Sequence, residues 1–259
     1  MQVHVHLLPK LCQPTEFAGG VTVVIDILRA STTMIMALAN GAIAIEPVGE
    51  IEDAVRRRAD DSTGRAILAG ERGGRKVDGF ELGNSPADFD RPRMADRRLI
   101  FTTSNGTRAL LHAAASARLV VGAFANLNAL ISLLKADGRP VHLLCAGTDG
   151  VISAEDVLFA GAVAAALLDS TEGQPPCSDE TWLAIQSWAA VRDSWTAYRN
   201  VLCRSRGGQN LIEIGAATDI DWVAEWDRTP IIPERQPDGT LRPAPAGPVQ
   251  KWLSAPVRL

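Results

Sequence analysis

The chain has 259 residues, 46% of them hydrophobic, and a formal net charge of −4, so it can bury the core of one large domain or two smaller ones. The absence of a Lys/Arg stripe argues against a nucleic-acid-binding protein, and no stretch approaches the roughly 20 apolar residues of a membrane span. The four cysteines form no CxxC pair. We therefore expect neither a zinc site nor disulfides, but a cytoplasmic protein with reduced thiols.

Short apolar runs alternate with helix-like stretches along the first two thirds of the chain. We predict strands at residues 3–8, 21–25, 42–47, 66–69, 99–101, 119–121 and 141–145, and helices at residues 32–39, 51–58, 107–115, 127–135 and 153–169. This alternation predicts an α/β fold, a layered, largely parallel or mixed β-sheet with helices on both faces.

The composition changes near residue 170, and we predict three parts. Residues 1–170 form the α/β core, residues 171–232 a tryptophan-rich part packed on it, and residues 233–259 a proline-rich, extended tail. A helix or helix pair is predicted at residues 181–202, where the tryptophans cover the core. Their use in a homo-oligomer contact is an open alternative.

Three apolar runs end in small and polar residues and then restart as helices, at residues 21–39, 99–111 and 141–166. In open α/β sheets the carboxyl ends of strands line the ligand crevice, where helix N-termini offer free N–H groups and a positive dipole. The pattern therefore predicts an anionic ligand, and phosphate is the first candidate.

A fourth segment, at residues 69–89, carries the sequences GERGG (70–74) and LGNSP (82–86). The other blocks are VIDILRASTT (24–33), TTSNGTRA (102–109) and CAGTDG (145–150), the last followed by Glu155 and Asp156. In this order the blocks resemble the 2-phosphosulfolactate phosphatase family over about half the chain. Residues 205–215 resemble it too, although Ala216 stands where the family commonly has an aromatic residue.

The resemblance implies a Mg²⁺-dependent hydrolase that converts 2-phosphosulfolactate, a small anionic phosphoester, to sulfolactate and phosphate. The family reaction belongs to coenzyme M biosynthesis. Two alternatives stay open: a phosphatase for another 2-hydroxy acid phosphate, and a non-catalytic protein that binds phosphorylated metabolites. The expected partner is the substrate, with no nucleic acid or membrane.

Carboxylates inside the matching blocks are the candidate metal ligands, because Mg²⁺ prefers oxygen ligands and usually takes one or two carboxylates. They are Asp26, Glu71, Glu155 and Asp156, of which Asp26, Glu71 and Asp156 are also the predicted catalytic residues. Asp26 ends an apolar strand and should reach the carboxyl edge of the sheet. Each has a structural alternative: a helix cap or a pair with Arg29 for Asp26, a solvated ion pair for Glu71, and dipole complements for Glu155 and Asp156. The nucleophile, Asp26 or a water, stays open.

Arginines, hydroxyls and amides in the same blocks, together with the carboxylate of Asp149, are the predicted substrate-binding groups, since an arginine fork matches phosphate, sulfonate or carboxylate. They are Arg29, Ser31, Thr32, Arg72, Asn84, Thr103, Asn105, Thr107, Arg108 and Asp149. For Thr103 and Thr107, helix capping and turn formation are the alternative.

Two other phosphate-site interpretations fail on spacing. Residues 70–76 lack the phosphate-loop pattern because Arg75 occupies the glycine position before the lysine. Cys145 lacks the arginine that a cysteine phosphatase needs after its loop, where Val151 stands instead. The four histidines show no metal-ligand spacing, and we expect His4 and His6 to be structural.

Overall fold

The structure is a computed structural model that describes residues 1–169 and 177–256. Its strands are β1 (Val3–His6), β2 (Val21–Ile25), β3 (Ala44–Pro47), β4 (Ala66–Arg72), β5 (Arg75–Lys76), β6 (Arg98–Thr102), β7 (Arg118–Gly122), β8 (Val141–Cys145), β9 (Pro233–Arg235) and β10 (Leu241–Pro243). They form a ten-stranded sheet in the order β1-β8-β2-β7-β9-β10-β3-β6-β4-β5. The sheet is mixed, as predicted.

The helices lie between and after the strands. They are α1 (Ala30–Ala39), α2 (Ile51–Ala59), α3 (Arg91–Met94), α4 (Gly106–His112), α5 (Leu127–Asp137), α6 (Ala154–Leu168), α7 (Asp179–Ala189), α8 (Trp195–Arg204), α9 (Arg206–Glu213) and α10 (Thr218–Val223). The helix pair predicted near residues 181–202 is therefore α7 and α8. No helix in the described part of the chain combines the length and apolarity needed to cross a bilayer.

Two parallel sets of strands make up most of the sheet. Strands β1, β8, β2 and β7 form one set, and β3, β6 and β4 form the other. Strand β2 is buried along its whole length, since Val23 and Ile25 pack with α5 and α6 while Val24 packs with α1 and α4 on the other face. Apolar residues at every strand position are what a sheet covered on both faces requires.

The hairpin of β9 and β10 joins the two parallel sets. Strand β9 pairs antiparallel with β7, and β10 pairs antiparallel with β3. These strands were not among the predicted ones, because each has three residues and carries a proline. Residues 233–243, which the sequence analysis placed in the extended tail, thus lie in the middle of the sheet. The predicted boundary at residue 170 and the tail end at residues 257–259 lie outside the described residues.

Two tryptophans of the C-terminal part, Trp188 and Trp226, pack onto the core around Phe124. Trp226 stacks on Phe124 with ring centroids 5.3 Å apart, and Trp188 lies 5.5 Å from Trp226. Trp182, by contrast, is 49% exposed. The helical part therefore adds a buried aromatic cluster to the sheet domain, as expected for a covering layer.

Helices α6 and α7 approach each other closely at Gly161. A Cβ atom at this position would overlap the carbonyl oxygen of Ala184, which belongs to α7. We expect Gly161→Ala to lower the free energy of unfolding by about 1–3 kcal/mol, despite the better helix propensity of alanine. Urea unfolding measures this change. Gly247→Ala is the matched control, since a Cβ there meets nothing within 4 Å; equal stability of both variants would contradict the prediction.

Three histidine rings lie together where β1 borders β8. The rings of His4 and His6 lie 5.2 and 5.3 Å from the ring of His142, and His6 Nε2 lies 3.0 Å from His142 Nδ1. Burial, with the neighbouring histidines, lowers the pKa of His142 from 6.5 to about 4. The cluster is consistent with a structural role for these side chains.

The lowered pKa predicts a pH-dependent stability. Between the folded pKa of about 4 and the unfolded value of 6.5, the unfolded chain binds a proton at His142 more readily. The contribution of the neutral His142 ring to the free energy of unfolding is therefore complete above pH 6.5 and is lost as the pH falls to about 4. We expect a loss of about 1–2 kcal/mol, less than the full shift because the site is partly solvated.

Urea unfolding between pH 4 and 7 tests this contribution in the wild type and in His142→Phe, which keeps a ring but cannot titrate. The difference between the two proteins isolates His142 from the carboxylates. Identical slopes of unfolding free energy against pH would contradict the prediction.

Candidate active site

A cleft opens at the carboxyl ends of β2, β4, β6 and β8, where the sequence predicted one. It has a volume of about 440 Å³, part of it open to solvent. The cleft is lined by Asp26, Leu28, Arg29, Glu71, Gly73, Gly74, Asn84, Ser104, Asn105, Thr148, Asp149, Gly207, Asn210 and Leu211. Six of the predicted site residues therefore meet there: Asp26, Arg29, Glu71, Asn84, Asn105 and Asp149.

Asp26 follows the last residue of β2 and is 7% exposed. Its Oδ1 accepts a hydrogen bond from the N–H of Ala30 at 3.2 Å, so it both faces the cleft and contacts the start of α1. Burial and then the nearby Glu71 raise the pKa of Asp26 from 3.8 to about 7. The environment therefore opposes the negative charge on Asp26.

Gly106 at the start of α4 makes room for the Asp26 carboxylate. A Cβ atom at this position would lie 2.7 Å from Asp26 Oδ2 and 2.7 Å from the Cβ of Ala30. A glycine is therefore required here for the backbone of α4 to approach the site.

Glu71, near the end of β4, is 6% exposed. Its Oε1 accepts a hydrogen bond from the N–H of Ser104 at 2.7 Å, and its Oε2 accepts one from the N–H of Gly74 at 2.7 Å. The Ser104 hydroxyl lies 3.2 Å from Oε2. These contacts fix Glu71 between two loops instead of leaving it as a solvated ion pair.

Asn84 is 5% exposed, and its Oδ1 has no hydrogen-bond partner. Its backbone carbonyl accepts a hydrogen bond from the Thr33 hydroxyl at 2.9 Å, which ties this loop to α1. Buried polar atoms are usually paired, so this unpaired oxygen, on a residue that lines the cleft, is a candidate contact for a bound group.

Arg29 is held by the protein itself. Its Nη1 donates to Asp219 Oδ2 at 2.5 Å, and its Nη2 donates to the carbonyl of Gly74 at 2.6 Å. Among the described residues that line the cleft, Arg29 is the only basic one, beside the carboxylates of Asp26, Glu71 and Asp149. The cleft is therefore acidic.

Glu155 and Asp156 are buried beside the cleft and do not line it. Asp156 accepts hydrogen bonds from the N–H groups of Ile27 at 2.8 Å and Gly147 at 3.0 Å, which joins the loops after β2 and β8. The Ser153 hydroxyl lies 2.8 Å from both oxygens of Glu155. Burial raises the pKa of both carboxyls, and Glu155 adds to the rise at Asp156. Their predicted metal and catalytic roles stay predictions.

The predicted hydroxyl groups bond to the protein backbone. Ser31 Oγ accepts from the N–H of Asp26 at 2.9 Å, and Thr32 Oγ1 donates to the carbonyl of Ile27 at 3.2 Å. Thr103 and Thr107 bond each other's backbone, each Oγ1 accepting from the other's N–H at 3.1–3.2 Å. Neither α1 nor α4 has a side-chain cap at its N-cap residue, so the bonds of Thr103 and Thr107 match the turn-formation alternative. The substrate role of these hydroxyls stays a prediction.

Two predicted arginines point elsewhere. Arg72 donates to the carbonyls of Glu71 and Gly49 and to the Thr102 hydroxyl, at 2.8–3.0 Å. Arg108 has a side chain 64% exposed and lies 3.8 Å from Glu50. Neither lines the cleft.

Asn105 and Asp149 close one side of the cleft. The Asn105 Oδ1 accepts a hydrogen bond from the N–H of Asp149 at 3.2 Å. Asp149 in turn pairs with Arg206 of α9, with Nη2 and Oδ2 3.3 Å apart. The loop after β8 is thus linked both to the loop after β6 and to the C-terminal helices.

Sequence reasoning missed several residues of the site. Ser104 lies within a matching block but was not selected. Gly207 and Asn210 line the cleft from α9, and Asp219 holds Arg29 from α10. The resemblance of residues 205–215 to the family was the available signal for α9, but it gave no position in space.

The chain is similar to proteins of one family over most of its length. It matches the family model described as 2-phosphosulpholactate phosphatase over residues 6–238. Relatives named "Probable 2-phosphosulfolactate phosphatase" include one from Pseudothermotoga lettingae, 36% identical over 87% of this chain and 93% of the relative. One from Synechocystis sp. is 34% identical over 94% and 100% of the two chains. One from Thermotoga maritima is 32% identical over 86% and 91%.

Proposed function

Because the chain belongs to the 2-phosphosulfolactate phosphatase family, we propose that it is a Mg²⁺-dependent phosphatase that hydrolyses 2-phosphosulfolactate to sulfolactate and phosphate. Within that family, the observation that carries the proposal is the meeting of Asp26 and Glu71 in one acidic cleft at the carboxyl edge of the sheet.

The charge balance of the cleft supports a bound cation. A substrate with phosphate, sulfonate and carboxylate groups is strongly anionic. Among the described residues that line the cleft, one positively charged side chain, Arg29, stands against three carboxylates. The guanidinium of Arg29 is already paired with Asp219. Anion binding here therefore needs positive charge from outside the protein.

The side chains at the cleft fit Mg²⁺. Asp26 and Glu71 supply two carboxylates whose mutual repulsion helps raise the pKa of Asp26, and Asn84 supplies an unpaired buried oxygen. Within residues 1–169 and 177–256, no group of three or more His, Cys, Asp or Glu side chains is arranged to hold a metal. Two carboxylates with neutral oxygens and the substrate phosphate suit Mg²⁺, which seldom needs more.

Each residue then has a proposed role. Asp26 and Glu71 would hold the ion, which when bound would neutralise phosphate oxygens and polarise the phosphoryl group. Arg29 would compensate the acidic groups of the cleft while its guanidinium stays bonded to Asp219 and to the carbonyl of Gly74. Asn105 and Asn210 line the cleft, and their side-chain amides would donate to the sulfonate or carboxylate.

The test is phosphate release from 2-phosphosulfolactate, phospholactate and phosphoglycolate, each with Mg²⁺ and with chelator. Release that needs metal and is fastest with the sulfonate supports the proposal. Equal rates with all three compounds would contradict the substrate assignment and keep the metal-dependent chemistry. Binding of these compounds without any release would contradict the enzyme and indicate a binding protein.

A further inference from the structure

Asp219, the second residue of α10, lies outside the cleft but contacts its wall. It is 4% exposed, and both of its carboxylate oxygens are bonded. Oδ2 accepts from Arg29 Nη1 at 2.5 Å, and Oδ1 accepts from the Ser85 hydroxyl at 2.7 Å. A single side chain from the C-terminal part thus holds two loops of the sheet domain.

From Arg29 the hydrogen bonds continue to Glu71. The second nitrogen of Arg29 donates to the carbonyl of Gly74, and the N–H of Gly74 donates to Glu71 Oε2 at 2.7 Å. Four residues, Asp219, Arg29, Gly74 and Glu71, therefore form one continuous chain of bonds. Its two ends are the C-terminal helices and a carboxylate of the cleft.

The other branch reaches Asn84. Ser85 bonds Asp219 and directly follows Asn84, whose Oδ1 is unpaired at the cleft wall. A shift of Asp219 would therefore move Arg29 and Asn84 at the same time.

We infer that Asp219 is a positioning residue for the reaction, fixing Arg29 and, through Gly74, the carboxylate of Glu71. The inference rests on the proposed function, since it assigns Asp219 to that site. Buried hydrogen bonds between charged groups set orientation strongly, and a displacement of about 1 Å at a reacting group can cost about 100-fold in rate.

The test compares Asp219→Asn, which keeps the shape and removes the charge, with wild type. We expect kcat per folded molecule to fall at least about tenfold, with a smaller change in KM, because Glu71 and Arg29 lose their fixed geometry. Mn²⁺ affinity, measured by electron paramagnetic resonance without substrate, should weaken about tenfold. A purely structural role would change the melting temperature but neither of these values.

Two further variants make the result decisive. Ser85→Ala removes one bond to Asp219 without leaving a buried charge unpaired, so it decides the inference if Asp219→Asn does not fold. We expect it to lower kcat by about 2- to 10-fold. Asp221→Asn is the matched control, because Asp221 lies in the same helix with a side chain 58% exposed and pairs with Arg199. It should match wild type.

The outcomes separate this inference from the proposed function. Wild-type kcat and Mn²⁺ affinity in Asp219→Asn, or in Ser85→Ala where Asp219→Asn does not fold, would overturn the positioning role alone, provided that the wild type is active. A wild-type protein that releases no phosphate from any of the three compounds would overturn the proposed function.

Discussion

Replacing Asp26 by asparagine is expected to lower kcat for phosphate release by at least about 1,000-fold without lowering the stability of the protein. Asparagine keeps the oxygen that accepts from Ala30 but cannot carry the negative charge proposed to hold the metal ion. Burial and the nearby Glu71 and Glu155 oppose that charge in the folded protein. Removing it should therefore leave the free energy of unfolding equal or higher, as is common where a site sacrifices stability for activity.

The measurement combines steady-state kinetics with urea unfolding. Asp193→Asn is the matched control, since the Asp193 side chain is 90% exposed and should affect neither quantity. Turnover within tenfold of wild type would exclude Asp26 from the chemistry. A loss of more than about 2 kcal/mol in unfolding free energy would instead show that Asp26 is chiefly structural.

Glu71→Gln is expected to lower kcat by about 100-fold and, unlike Asp26→Asn, to lower stability by about 1–3 kcal/mol. Both oxygens of Glu71 accept a backbone N–H bond, from Ser104 and from Gly74. A glutamine must place its NH₂ group against one of these donors, which leaves a partly buried N–H without an acceptor. Repulsion between the NH₂ group and the N–H donor should also loosen the contact between the loops after β4 and β6.

Kinetics, Mg²⁺ titration and unfolding of the same variant test this expectation. We expect Mg²⁺ affinity to fall at least about tenfold. Glu52→Gln, a change at an exposed residue of α2, provides the control. Wild-type stability of Glu71→Gln would show that the two N–H bonds contribute nothing, and wild-type Mg²⁺ affinity would remove Glu71 from the proposed metal site.

The strands of the two parallel sets could be predicted because each is a short apolar run bounded by turn residues. Such runs are a local property of the chain, and strands buried on both faces consist almost wholly of apolar residues. The hairpin of β9 and β10 could not be found in this way. Its strands have three residues each, and they exist because they fill the gap between β7 and β3.

The position of the site was also predictable, since polar residues that follow parallel strands meet at one edge of the sheet. Asp26, Glu71, Asn84 and Asn105 lie together there. The pattern of polar residues after strands did not distinguish residues that line the cleft from residues that hold its loops in place by hydrogen bonds. Asp156, for example, lies in a matching block but bonds the backbone of two loops.

The sequence alone determined the α/β class, the strands of the two parallel sets and the edge at which acidic and amide groups gather, because these follow from local patterns of hydrophobic and polar residues. Only the tertiary structure decided which charges pair. Asp219 reaches Arg29 across 190 positions of the chain, Arg108 turns to solvent, and the oxygen of Asn84 is left unpaired. Hydrogen bonds between residues so far apart depend on how the whole chain packs, which no local pattern encodes.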